Sequence, residues 1–328
     1  MSDKKSISVI LPNYNGKHLM EKFIPSTLEA LTLSNVDYEF IVIDDCSTDE
    51  SIAFIKSNYP NFILLKNEVN SGFSKTCNKG IKQASKDLVF LLNSDVQLIP
   101  TYFENQFQYF SKANTFGVMG RIMNFDGKKM EDTARLPYYK GGKFKANKFY
   151  YVENDDNVLT TYLSGANALI DRKKLQLLKG FDEIYSPFYF EDFDLSLRAW
   201  EMGWSCYYDH QSYCFHQVSS STNKINKGNS VKIIYNRNSF TLQSLHLQGS
   251  KRTFWFLQLF TLTLLGHLVK GEFWILRSIR EFLAQKATIA QSKLTTKTLQ
   301  KELDVSYNLD HIISTINRSI ADKDVRQL

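Results

Sequence analysis

Four short apolar runs, separated by stretches with helical spacing and each closed by polar or acidic turn residues, fill the first hundred positions. Residues 6–11 (SISVIL), 38–43 (YEFIVI), 62–65 (FILL) and 88–92 (LVFLL) are too short for helices and apolar almost throughout, which predicts strands buried on both faces. Between them, residues 16–33, 49–58 and 73–85 read as helices, the second capped by Ser47 or Thr48. This alternation calls for a parallel sheet with right-handed crossovers. Ligands of such sheets lie beyond the carboxyl ends of the strands, so attention falls on PNYN, DDCSTD, NEVNSG and NSD.

Beyond residue 100 the pattern loosens. Residues 102–112 read as a helix, 116–120 (FGVMG) as a strand, and the aromatic, polar segment 124–157 as a long irregular loop able to move over a site. From 219 onward the spacing is helical. The expected class is α/β, with residues 1–218 as one catalytic domain and 219–328 as a helical C-terminal extension. Within the domain, 1–100 is the nucleotide-binding half and 101–218 the acceptor and catalytic half.

The composition supports a large core: 43% of the 328 residues are hydrophobic and 14% aromatic, which excludes a disordered chain. The net charge of +6 is uneven, since 219–328 holds 16 Lys/Arg against 7 Asp/Glu while 1–218 holds 24 against 27. Cys46, Cys77, Cys206 and Cys214 show neither paired nor metal-ligand spacing, which fits a reduced, cytoplasmic setting. The five-residue apolar run before Pro12 is too short for a signal-peptide core, and 254–269 is too short, at below ~20 apolar residues, to span a bilayer.

Neither GxGxxG after the first strand nor GxxxxGK[ST] is present, which removes the dinucleotide fingerprint and the P-loop. Acids at strand ends take their place. Asp45 can accept the imino N–H of a pyrimidine with Tyr14 as a stacking face, whereas Ser47 to Asp49 suit a helix cap. Asp95, closing LLNSD, is placed for a hard divalent cation neutralising a diphosphate, although Asn-Ser-Asp is also a common turn. Further on, YFEDFDLSLRAWEMGW sets Glu191, Asp192 and Asp194 at the start of an amphipathic helix, and any of the three could be a base or a helix-start acid.

Taken in order, VILPNYN, IVIDDCSTDES, NSGFSKTCNKGI, LLNSDV, SGANALIDR, GFDE and EDFDLSLRAWEMGW resemble the inverting family 2 glycosyltransferases of the GT-A (Rossmann-like) fold. The rhamnosyltransferase-like branch that builds bacterial surface polysaccharides is the nearer likeness, over about residues 6–240. The resemblance implies a mostly parallel central sheet flanked by helices, a UDP- or dTDP-linked sugar donor, Mg2+ or Mn2+, and a saccharide or lipid-linked acceptor. Carried over by motif, Pro12 and Tyr14 border the base and Asp45 pairs with it, while Asn70, Gly72, Asn78 and Ser94 border the donor. Asp95 is the last acid of the metal motif, where Asn93 replaces the first, and His216 contacts the metal or diphosphate. Asp192 is the catalytic base, with Tyr189, Phe190 and Phe193 drying it. Glu191 and Asp194 support it, and Gly165 and Ala166 line the acceptor side. Arg237, in YNRN, suits a phosphate or a solvated helix face equally.

In 251–286, apolar residues interleave with Lys251, Arg252, Lys270, Arg277 and Arg280, a mixture suited either to an anionic membrane surface at the inner face of the cell membrane or to packing on the catalytic domain or a second copy. Residues 290–328 read as one or two polar amphipathic helices. A homo-oligomer is compatible with the sequence, and no motif points to nucleic acid. Two other readings compete with transfer. A sugar nucleotidyltransferase would place a Gly- and basic-rich loop where PNYNG stands, and a degenerate, non-catalytic relative would explain Asn93.

Overall fold

The computed structural model describes residues 5–153, 155, 157–217 and 228–328. The proposed boundary between 218 and 219 lies outside the described residues. The first hundred residues follow the expected alternation: β1 (Ile7–Asn13), α1 (Lys17–Leu33), β2 (Tyr38–Asp44), α2 (Ser51–Asn58), β3 (Ile63–Lys66), α3 (Phe73–Gln83) and β4 (Leu88–Leu91). The strands pair in parallel in the order β3-β2-β1-β4. Alternate residues enter opposite cores: Ile41 and Ile43 join one apolar cluster and Phe40 and Val42 the other, which is why the runs have no polar phase.

The second half completes a ten-stranded sheet. Its elements are β5 (Val96–Leu98), β6 (Thr115–Asn124), β7 (Met130–Asp132), β8 (Ala134–Lys140), β9 (Lys143–Val152), β10 (Val158–Leu159), β11 (Ala168–Asp171), α4 (Arg172–Leu177), α5 (Glu191–Glu201) and β12 (Ser205–His216). Here β11 runs antiparallel between β4 and β6, and β6 pairs in parallel with β12. The C-terminal extension comprises α6 (Ser230–His246), α7 (Gly249–Gln258), a π turn (Leu259–Thr263), α8 (Leu264–Val269), α9 (Trp274–Ala284), α10 (Lys286–Glu302), α11 (Leu309–Ser319) and β13 (Val325–Gln327).

Three expectations need correction. The segment 124–157 is not an irregular loop: β7 joins the main sheet, and β8 and β9 form a hairpin that β13 extends into a second, three-stranded sheet. Its signal is YYKGGKFK, a turn with Gly141 at φ +60° between runs that bury alternate residues such as Phe144 and Ala146. Residues 102–112 form only turns and a 3-10 stretch, Gln106–Ser111, because bonds such as Gln106 N–H to Phe103 C=O span three residues. Neither Ser47 nor Thr48 caps α2. The Ser47 hydroxyl accepts the Asn15 N–H at 2.8 Å, and Asp49 accepts the Ser51 N–H at 3.0 Å.

Candidate active site

Parallel pairing of β1 with β2 sets PNYN beside Asp44 and Asp45, and the Asp45 N–H donates to the Asn13 carbonyl at 2.8 Å. Tyr14 stands exposed, as a stacking face requires. Asp45 is buried and accepts from the Ser71 N–H (2.8 Å), the Gly72 N–H (2.9 Å) and the Asn67 amide (2.8 Å). It therefore shapes the 67–72 loop, with three of roughly four lone-pair directions already used. Asn70 is exposed on that loop. Gly72 is required where it stands: φ is +81°, and a Cβ would lie 2.8 Å from the Pro187 carbonyl oxygen.

Asn78 lies beyond this loop, on α3. Its amide donates to the Phe181 carbonyl (2.9 Å) and Glu183 (3.1 Å) and accepts the Phe181 N–H (2.8 Å), so the buried side chain staples α3 to the GFDE segment. Gly180 ends the α4 turn with φ +69°, where a Cβ would meet the Asn78 oxygen at 2.3 Å.

Antiparallel pairing of β5 with the end of β12 brings Asp95 and His216 together, with imidazole Nε2 3.5 Å from the carboxylate. Glu131, which carries no sequence signal, meets Nδ1 at 2.8 Å. The hydrogen bond and charge of Asp95, then Glu131, hold the His216 pKa up at about 9 against the effect of burial. The second Asp95 oxygen, Oδ1, is buried and has no hydrogen-bond partner among the described residues. Among the described residues no group of three or more His, Cys, Asp or Glu side chains has metal-binding geometry. One orphaned carboxylate oxygen beside an imidazole nevertheless fits a cation whose remaining ligands are phosphate oxygens and water.

The turn at 164–167 links this corner to the acids of α5. Asn93 N–H donates to the carbonyl of buried Ala166 at 3.2 Å, while the next residue back, Gly165, points its N–H at Asp192 Oδ2, 3.4 Å away. Ser94 lies half-buried in the same corner. A Cβ on Gly165 would touch the Phe73 ring at 3.2 Å and the Asp192 Cβ at 3.8 Å, so the start of α3, the turn and Asp192 converge on one small residue.

Asp192 faces a cavity of about 230 Å³ walled by Tyr162, Tyr189, Phe190, Phe193 and Tyr235, with Arg135 alongside. Burial pushes its pKa up, while the Gly165 N–H and the Arg135 charge pull the other way. Glu191 turns inward. Burial and the neighbouring Asp192 charge raise it to about 8, and its Oε2 has no partner among the described residues. Asp194 enters the core, where it accepts from Arg198 Nε (2.7 Å), His246 Nε2 (3.0 Å) and the Tyr185 hydroxyl (3.0 Å). Burial opposes its charge, but Arg198 and His246 carry it down to about 2. Its contacts fix the helix and do not reach the cavity.

The residues leading into α5 are held in an unusual conformation: Tyr189 and Phe190 have φ of +75° and +77°. Asn238, fully buried on α6, explains why they persist. Its amide donates to the carbonyls of Tyr185 (2.7 Å), Phe188 (2.9 Å) and Tyr189 (2.9 Å). Arg237 adds a bond to the Ser186 carbonyl at 2.5 Å, so it is half-buried in the same clasp and is not a solvated helix-face residue. Asn238 and Arg135 escaped the sequence reading, although the first lies in the YNRN motif already noted for Arg237.

Residues 8–178 match the family described as Glycosyl transferase family 2. Among curated proteins, the poly(ribitol-phosphate) beta-N-acetylglucosaminyltransferase TarP of Staphylococcus aureus is 29% identical over 180 residues, 52% of each chain. The poly(ribitol-phosphate) beta-glucosyltransferase of Bacillus spizizenii is 30% identical over 127 residues, 37% of this chain and 20% of that one. The chain thus spans about half, or less, of the length of these relatives. Among solved structures, S. aureus TarS residues 1–349 in complex with UDP-GlcNAc superposes with TM-score 0.55 at 15% identity, covering 97% of this chain and 92% of that one. The mannosyltransferase PcManGT from Pyrobaculum calidifontis, in complex with GDP-Man and Mn2+, gives TM-score 0.54 at 15% identity over 98% and 87%. With its sheet order and helices shared with these GT-A enzymes, the chain belongs to glycosyl transferase family 2.

Proposed function

We propose that this protein transfers a sugar, with inversion, from a nucleoside-diphosphate donor to a hydroxyl of a saccharide or lipid-linked acceptor in cell-surface polysaccharide synthesis. The observation that carries the reading is the bridge Asp95–Asn93–Ala166–Gly165–Asp192, which couples a diphosphate-and-cation corner to a carboxylate in an aromatic cavity. A UDP or dTDP base would stack on Tyr14 at the rim of the Asp45 loop, and the diphosphate would lie toward Asp95 and His216. Those two residues would hold Mg2+ or Mn2+, which when bound would offset the charge of the leaving diphosphate.

Asp192 takes the acceptor hydroxyl proton as that oxygen bonds to the anomeric carbon from the face opposite the diphosphate. The bond from the anomeric carbon to the phosphate oxygen breaks, and its electron pair leaves with the nucleoside diphosphate. The aromatic walls exclude water that would otherwise compete as acceptor. Nucleotide-binding partners support the reading: TarS is crystallised with UDP-GlcNAc and PcManGT with GDP-Man and Mn2+. Placement at the inner face of the membrane belongs to the same proposal.

Release of nucleoside diphosphate from a panel of UDP- and dTDP-sugars, with and without Mn2+, tests it. Metal-stimulated release that Asp192→Asn abolishes while nucleotide binding persists is expected. Release undiminished by that substitution removes Asp192 from the role of base, and turnover of sugar phosphate plus nucleoside triphosphate would show a nucleotidyltransferase instead.

A further inference from the structure

The segment 251–286 divides its apolar residues between two destinations. Trp255, Leu259, Ile275, Ile279 and Phe282 are buried in the core shared with α5 and α6. The remainder are uncovered. Leu262 is 73% exposed, Val269 88% and Phe273 66%, and Phe254, Leu257, Leu265 and Leu276 are exposed with them. Along α7 and α8, Phe254, Leu257, Leu265 and Val269 recur at helical spacing, and on α9 Phe273, Leu276 and Leu283 do the same. Each stripe lies on the side of its helix away from the buried residues. An uncovered apolar plate of this length is unusual on a soluble surface and marks an interaction site.

Charge identifies the occupant. Residues 251–286 carry six Lys/Arg against two Glu. Arg252, Lys270 and Arg280 are exposed, and among the described residues none of them forms an ion pair. Lys270 follows Val269 directly at the turn, and Arg280 sits within the α9 stripe. Apolar side chains protruding beside unneutralised cations suit a surface that is apolar beneath an anionic layer. No helix among the described residues is long and apolar enough to cross a membrane, which fits helices lying in the interface. The plate adjoins α6, whose Asn238 clasps the chain leading to Asp192.

We infer that α7 to α9 form an interfacial plate that docks the protein on an anionic lipid bilayer through Leu262, Val269 and Phe273, with Lys270 and Arg280 contacting headgroups. This deepens the glycosyl-transfer reading, since a docked plate would present the cavity to an acceptor carried on lipid. Docking itself requires no turnover, so the two can fail separately.

The test is flotation of the full-length protein with vesicles of phosphatidylcholine alone or with phosphatidylglycerol. The expected result is binding only to the anionic vesicles, weakened by salt. Combining Leu262→Glu, Val269→Glu and Phe273→Glu should lower vesicle partitioning about tenfold or more, and Lys270→Ser about fivefold. Leu33→Glu, an exposed position on α1, should change nothing. Unchanged melting temperatures would show that the variants fold. The inference fails if the wild-type protein ignores anionic vesicles or if the triple variant binds like the wild type. It also fails if the triple variant turns a solution oligomer into a monomer without affecting vesicle binding, because the plate then covers a second copy. Lost flotation with donor turnover intact leaves the enzymatic reading standing.

Discussion

Asp192 and Asp194 lie two residues apart in the first turn of one helix, and their surroundings push them in opposite directions. On the cavity face of α5, Asp192 meets aromatic rings, the N–H groups of Phe193 (2.8 Å) and Gly165 (3.4 Å) and the nearby Arg135 charge, yet burial outweighs them and its pKa rises. On the core face, Asp194 meets Arg198, His246 and a tyrosine hydroxyl, and its pKa falls to about 2. A basic carboxylate suits proton transfer, whereas one held ionised at every working pH suits architecture. What stands across from each acid decides the role, not its place at the helix start.

The largest expected effect separates the two faces by activity. Asp192→Asn should lower transfer by about 10²–10⁴-fold while leaving the melting temperature and nucleotide affinity near those of the wild type. Loss of folding together with activity would mean that the cavity face is structural too. Asp194→Ala should do the reverse, costing about 3–5 kcal/mol in denaturant unfolding because it strands Arg198 and His246 in the core.

That core network also has a pH signature. Asp194, at about 2 against its ordinary 3.8, contributes stability above roughly pH 4 that is lost as pH falls toward 2. Burial opposes the His246 charge, but Glu201 and Asp194 hold its pKa at about 9 against an ordinary 6.5. Its contribution is complete below about pH 6.5 and is lost as pH rises through 9. Melting curves of wild type and His246→Ala should therefore converge on the alkaline side.

A smaller effect is expected where the faces meet. Asn238→Ala should cost about 1–3 kcal/mol of stability and reduce kcat about tenfold with donor affinity little changed, since the chain leading to the base loses its clasp. An effect on stability alone would confine Asn238 to scaffolding. The smallest belongs to Glu191, whose raised pKa of about 8 makes it a growing burden as pH climbs from about 4.5 to 8. Glu191→Gln should raise stability by about 1 kcal/mol at pH 8 and have little effect at pH 4.

Where function rested on local pattern, the sequence was readable. The four strands and their acid-tipped ends lie within a residue or two of their expected places, because burial on both faces leaves only apolar runs. Pairing across distance was not readable. Nothing in the segment holding Glu131 and Arg135 predicts contact with His216 or proximity to Asp192, since both arise from how β7 and β8 fold back. Asn78 shows the same limit: its motif follows the 67–72 loop, yet its helix turns the amide toward residues more than a hundred positions away. In 124–157, polar residues interleaved with aromatics concealed a hairpin whose glycine turn was visible throughout.

The clasp formed by Asn238 has a temporal consequence. The ribosome delivers β1 to β11, then the loop leading to Asp192, then β12 to complete the main sheet, and only afterwards the helix whose amide holds that loop in its left-handed path. The nascent chain can close its main sheet while the turn into α5 is still unset, so the left-handed path beside Asp192 is fixed only after that sheet is complete.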